Sequence, residues 1–179
     1  MKNLIYPLTA AFILLTSATA VLVSNTSYKV KEGHSIRFES KDPSGVFKKM
    51  QGDVYFDENN LENSSFNLSI DVASISTGNG MKDKKAMTSE WFEARKYPKI
   101  EFKSTKLVKT EKGYQVHGNM MIKGVKRFRK IPMNVINGKA GLVFKGSFWV
   151  DRSFYKIGKP SKATPNKLKI IYSIPVAKK

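Results

Sequence analysis

With 179 residues, a formal charge of +18 and no cysteine, the chain is long enough to fill one core. It has no means of forming disulfides, a thiol nucleophile, a thiolate metal site or a lipidated cysteine. The charge predicts attraction to anionic surfaces that weakens with salt, without naming a partner; because the lysines are spread along the chain, a solvated basic exterior accounts for most of it.

Residues 1–20 carry a targeting pattern: Lys2 is positive, Leu4 to Leu15 is mostly apolar, and Ala18-Thr19-Ala20 has the small-x-small form of a cleavage site. The apolar run holds Pro7 and is shorter than the roughly 20 residues a spanning helix needs. Signal-peptide cleavage near Ala20 and a periplasmic or secreted destination are therefore expected. Cleavage would remove one charged side chain, Lys2, and lower +18 to +17. Residues 21–33 read as an N-terminal leader, in which Tyr28-Lys29-Val30-Lys31 either forms a short strand or only approaches the sheet. The domain proper is expected over 34–179.

Period-two alternation begins at Ser35-Ile36-Arg37-Phe38-Glu39 and defines an inward face. Asp42-Pro43-Ser44-Gly45 is a turn sequence. A second strand is predicted from Val46 to Asp57, with Met50, Gly52, Val54 and Phe56 in one register and Phe47 and Tyr55 in the other. Phe66 to Val72 is a third, with Phe66, Leu68 and Ile70 inward. From Ala73 to Gly80, Ser, Thr, Asn and Gly favour turns. Lys82 to Phe92 is predicted as a short helical lid capped by Asp83, with Met87 and Trp91 four apart on one face. Tyr97-Pro98 ends it.

Alternation resumes over Lys99–Ser104, Tyr114–Ile122, Arg127–Asn137, Leu142–Val150 and Leu168–Val176. Asn137-Gly138 predicts a type I′ hairpin turn. Asp151 to Asn166 is predicted as a loose basic loop containing Gly158, Pro160 and Pro165. Eight long strands with one apolar face each, and no helix long enough to cover a sheet, fit either a sandwich or a closed barrel. Eight strands enclose an interior wide enough for side chains alone or for one ligand.

Three segments carry a family resemblance: Ile70-Asp71-Val72-Ala73-Ser74-Ile75-Ser76-Thr77-Gly78-Asn79, Tyr97-Pro98-Lys99-Ile100-Glu101-Phe102-Lys103-Ser104-Thr105, and Gly118-Asn119-Met120-Met121-Ile122-Lys123-Gly124-Val125. In this order they resemble the signature segments of the bacterial YceI-like family, from about His34 to the C-terminus. The resemblance implies an all-β fold: an extended eight-stranded antiparallel lipocalin-like barrel, with a short helical insertion between strands, holding a long isoprenoid or other lipid chain. The chain departs from that pattern in two places. Lys82-Asp83-Lys84-Lys85 stands where the family has Arg-Asp-x-His, and Arg152-Ser153-Phe154-Tyr155-Lys156 where it has Arg-Ser-Asp-Phe-Gly. Headgroup contacts at Lys85 and Phe154 therefore do not carry over.

Small residues recur along the inward registers at Ser40, Gly52, Ser104, Gly118 and Gly146, which suggests unfilled space, although strand glycines also let a barrel bend at its corners. The ligand-facing wall is expected to consist of Phe38, Met50, Val54, Phe56, Phe66, Leu68, Ile70, Phe102, Val116, Met120, Met133, Phe144, Phe148, Ile170 and Tyr172, with Met87 and Trp91 at the mouth. Aromatics give broad apolar walls and methionines adapt to a flexible chain.

His34 and His117 are the only histidines, and neither is placed for a metal or nucleophile site; phosphate-loop, dinucleotide and Gly-x-Ser-x-Gly motifs are absent. No catalytic residue, no metal and no cofactor other than a bound isoprenoid-type lipid is expected. The leading function is an exported lipid-binding protein that sequesters or transports an isoprenoid, isoprenoid quinone or similar amphiphile. The alternative is a basic surface-binding module with a filled barrel, displaying Tyr55 and Trp149 to an anionic polymer or membrane. Expected partners are the lipid, a transiently touched anionic membrane surface and, as an option, a second copy of the chain, with no specific nucleic acid.

Overall fold

The computed structural model describes residues 26–138, 141–159 and 164–179. The signal-peptide reading falls outside them. In chain order the elements are β1 (Ser27–Val30), β2 (Ser35–Glu39), β3 (Gly45–Phe47), β4 (Met50–Tyr55), β5 (Ser65–Asp71), β6 (Ile75–Ser76), α1 (Gly80–Ala86), β7 (Lys99–Thr110), β8 (Gly113–Ile122), β9 (Val125–Gly138), β10 (Gly141–Asp151) and β11 (Lys167–Lys178). The pairing order β1-β4-β5-β7-β8-β9-β10-β11, with β1 returning to β11, closes an eight-stranded antiparallel barrel. The fold is the all-β barrel with a short helical insertion that the family resemblance implied, and not the sandwich that the strand pattern left open.

The identity of the eight strands differs from the expectation. The presumed leader supplies β1, whose Tyr28 pairs with Val54 on one side and Lys178 on the other. Four alternating residues next to a polar segment give too short a period-two signal to distinguish a barrel strand from a tail. The first predicted strand, β2, instead pairs with the other half of β11, through Ile170↔Phe38 and Tyr172↔Ile36, and leads a flap in which β3 pairs with β2 and β6 with β3.

The predicted Val46–Asp57 strand is two strands, β3 and β4, joined by Lys48-Lys49. The lysine amides continue the ladder irregularly, Lys48 N–H to Ser74 O and Lys49 N–H to Ser74 Oγ. That break reverses the side-chain phase, so Phe47, expected outward, is buried. The helix is shorter than predicted and capped differently: Asn79 Oδ1 accepts from the amides of Met81 and Lys82, and Asp83 instead accepts from Thr77 N–H and Oγ1–H. Met87 is the C-cap, and turns carry the chain through Trp91 to Tyr97. Asn137 and Gly138 lie within β9, paired with Leu142 and Gly141, so the Asn-Gly pair predicted as a turn belongs to the ladder instead.

The loose loop after Asp151 begins instead with a single turn, Arg152–Tyr155, whose Arg152 and Tyr155 are buried and whose cap is Asp151 Oδ1 accepting from Ser153 N–H. The Arg152 side chain is 2% exposed. Its guanidinium donates to the carbonyls of Pro165, Ile157, Lys159 and Thr164 at 3.0, 2.6, 3.1 and 2.9 Å, which satisfies a buried cation with backbone dipoles.

The small inward residues do not make the void attributed to them. A Cβ at Gly118 would lie 2.5 Å from Lys103 O and 2.7 Å from Phe102 Cζ, and one at Gly146 would lie 2.6 Å from Tyr172 Oη. Neighbouring rings already cover these glycines. Ser104 Oγ accepts from Phe66 N–H at 2.8 Å beside a bulge, and Ser40 Oγ donates to Pro43 O at 2.7 Å. These are points of close strand approach and sheet curvature.

One end of the barrel is sealed by edge-to-face aromatics. Phe56 lies 5.6 Å from Tyr114 and 5.4 Å from Phe144, and Phe144 lies 5.1 Å from Phe66. Val54 and Val176 are fully buried beside this floor. The Tyr114 hydroxyl donates to Glu58 Oε1 at 2.8 Å. Burial, with the adjoining Glu58 carboxylate, pushes the phenol from its ordinary 10.0 up to about 12.

Two outcomes follow from this packing. Gly146→Ala, which forces a Cβ between the Pro132 carbonyl and the Tyr172 ring, should lower unfolding free energy by about 2 kcal/mol in urea titrations. For Tyr114 the folded state holds the proton more tightly than the unfolded chain. Its contribution is therefore complete below pH 10 and is lost as pH rises from 10 to about 12. Tyr114→Phe should flatten that part of the alkaline stability profile and remove the share of the phenolate absorbance that develops at about pH 12, leaving the later-titrating Tyr172.

Candidate functional site

Above the aromatic floor the barrel encloses a cavity of about 380 Å³, within the range of small-molecule sites. The inward rows of the strands build its wall. β2 and β3 give Phe38 and Phe47, β4 gives Met50, and β5 gives Phe66, Leu68 and Ile70. Phe102 of β7, Val116 and Met120 of β8, and Met133 of β9 continue round it. Phe144 and Phe148 of β10 and Ile170 and Tyr172 of β11 complete the ring, and Trp91 closes over it. Of the residues expected to face a ligand, only Val54, Phe56 and Met87 lie off the wall. Val54 and Phe56 are spent on the floor. Met87 packs against the core from the helix cap.

Sequence reasoning missed several wall residues. Phe47 was hidden by the phase reversal at Lys48-Lys49. Ile75 lies in the short β6 between turn residues, Ile157 lies inside the segment taken for a loose loop, and Leu168 follows just after it. Leu168 alternates with Ile170 and was findable from that row. Arg152 had no signal in the hydrophobic pattern, because a buried cation held by carbonyls looks like any surface arginine in sequence.

Polar groups on the wall gather toward α1. Lys82 Nζ pairs with Asp42 Oδ1 at 2.5 Å on the rim. Lys85 Nζ sits 5.8 Å from the centre of the Trp91 ring and the Arg152 guanidinium 5.4 Å from it, so the indole carries two cation–π contacts. Trp91 Nε1 is buried without a hydrogen-bond partner. Deeper in, the Tyr172 hydroxyl donates to Pro132 O at 2.6 Å, and burial raises its pKa well above the usual phenol value. The site is thus a greasy tube with a cationic, hydrogen-bonding rim.

Neither histidine lies on this wall. His117 faces outward and contacts Gln115 Oε1 at 2.7 Å; desolvation, with Lys130 and Lys106 nearby, lowers its pKa. His34 Nδ1 contacts Lys31 O outside the barrel. Among the described residues no three His, Cys, Asp or Glu side chains gather in a way that could hold a metal ion.

Comparison with known proteins agrees with this architecture. A UPF0312 protein of Photorhabdus laumondii is 30% identical over 131 residues, covering 70% of this chain and 68% of that one. The protein YceI of Salmonella newport is 30% identical over 133 residues, again covering 70% and 68%. Among solved structures, Burkholderia cenocepacia BcnA superposes with a TM-score of 0.75 at 27% identity, covering 80% of this chain and 96% of that one. A polyisoprenoid binding domain from Saccharophagus degradans shares the fold, with a TM-score of 0.65 at 12% identity over 85% and 98% of the two chains. The model of the YceI-like domain matches residues 23–175, and this chain belongs to that family.

Proposed function

We propose that the protein sequesters a long-chain amphiphile of isoprenoid type in its barrel, with the chain in the apolar bore and the polar head at the rim formed by Lys82, Lys85 and Trp91. The observation that carries this reading is the apolar cavity itself, stopped at one end by Phe56, Tyr114 and Phe144, with Lys82 and Lys85 at its α1 end. Burying each methylene there is worth roughly 0.8 kcal/mol before ordering costs, so a chain several isoprene units long needs no strong anchor. The polyisoprenoid-binding relative of the same fold supports the ligand class. The N-terminal pattern of residues 1–20 supports export, and carriage of the lipid between membranes outside the cytoplasm is the transport role that fits both.

Protein purified without detergent should release a stoichiometric lipid into organic solvent, identifiable by mass spectrometry. Recovery of no lipid, together with failure to take up a polyprenyl probe, would sink the proposal. Bulk must be added from the wall, since the inward glycines are already covered. Ile170→Trp, at a half-buried wall position, should reduce probe loading by about tenfold or more while leaving the far-ultraviolet spectrum unchanged.

A further inference from the structure

The barrel closes less completely on one side than its topology suggests. Pairing between β9 and β10 runs from Gly138↔Gly141 to Asn134↔Lys145 and stops. From there β9 stays paired to β8 down to Val125, and β10 to β11 up to Asp151. Val125–Met133 and Gly146–Asp151 therefore border each other without a ladder. Pro132 stands where the next rung of the ladder would form. Its carbonyl faces β10, where it accepts the Tyr172 hydroxyl across Gly146, so its nitrogen faces the same way and has no hydrogen to donate.

Side chains bridge the seam instead. Besides Tyr172, Arg129 Nη2 donates to Trp149 O, and Arg127 Nη2 approaches Phe154 O at 3.5 Å with its guanidinium 5.5 Å from the centre of the Phe154 ring. Arg129 Nε is buried with no partner. On the inner side of this seam lie Ile131 and Met133 of β9 and Phe148 and Val150 of β10, all on the cavity wall. On its outer side Phe128, Trp149 and Phe154 are 55%, 59% and 55% exposed. Around them Lys126, Lys130, Lys145 and Lys169 occupy outward positions, and β8 to β11 together contain one acid, Asp151, which already accepts from Ser153.

We propose that this seam is a lateral portal that docks on an anionic lipid bilayer and passes the lipid chain directly between bilayer and cavity. The inference rests on the carrier reading above and adds the surface and the route. Exposed Trp and Phe seat at the headgroup level, and the one-signed cations draw the face to anionic lipid in a salt-dependent way. A chain moving sideways through a seam held by side chains crosses from one apolar phase to another without entering water.

The test uses the full chain with vesicles of phosphatidylglycerol and phosphatidylcholine, against pure phosphatidylcholine, and a fluorescent polyprenyl phosphate as probe. Wild type should float with the anionic vesicles at low salt only, and Phe128→Ala/Trp149→Ala, both at exposed positions, should lose about tenfold in vesicle affinity. Because the chain lacks cysteine, Lys130→Cys/Ser147→Cys can be bridged across the seam by a short bis-maleimide, and Asn67→Cys/Lys103→Cys, an exposed pair across the β5–β7 ladder and off the cavity wall, serves as comparator. The seam link should arrest probe transfer from vesicles while vesicle binding and the folded spectrum persist, and the ladder link should leave transfer intact. Transfer that continues through a linked seam, or stops equally with the ladder link, overturns the portal and leaves the carrier reading standing. Unchanged flotation of the double alanine variant, or retention on DNA without flotation, overturns the docking face. No uptake of probe from either vesicles or detergent micelles by unlinked protein overturns portal and carrier together.

Discussion

The architecture depends on one short strand bonded on both edges. Ser27–Val30 pairs with β4 through Ser27↔Tyr55, Tyr28↔Val54 and Lys29↔Asp53, and with β11 through Tyr28↔Lys178, Lys29↔Ala177 and Val30↔Val176. Without it β4 and β11 would both present open edges, the usual route to intermolecular pairing. The C-terminal residues are held by the same arrangement: Lys179 N–H donates to Ser27 O, and its side chain meets Asp53 at 2.9 Å. Closure creates an inside, and only an inside permits the cavity.

Given closure, what fills the interior decides what the barrel can do. Aromatic rings are laid against the wall where glycine permits close approach, as Phe102 lies over Gly118 and Tyr172 over Gly146. At the floor the rings turn inward and meet edge to face. Rings that cover a glycine leave a bore, and rings that converge end it. The same residue type thus serves as lining and as stopper, according to which glycine or aromatic neighbours it.

Much of this was legible in the sequence because a half-buried strand writes its inward face into every second residue. The rows Tyr114-Val116-Gly118-Met120-Ile122 and Leu142-Phe144-Gly146-Phe148-Val150 lie inward as their alternation implies. Legibility failed where the period was interrupted or too short. Lys48-Lys49 shifts the phase and hides Phe47, β1 has too few residues to declare itself, and Arg152 is buried for reasons of backbone hydrogen bonding that hydrophobic pattern does not encode. The glycines were noticed correctly and interpreted wrongly, because sequence shows that a side chain is missing but not what has moved into its place.

A tube stoppered at one end also imposes order on whatever it holds. Whichever way a guest enters, it would lie with its tail toward Phe66 and Phe144 and its head toward Trp91, so the depth of the bore acts as a gauge of molecular length. Guests shorter than the gauge sink below the rim, and longer ones protrude past Trp91 into the reach of other molecules.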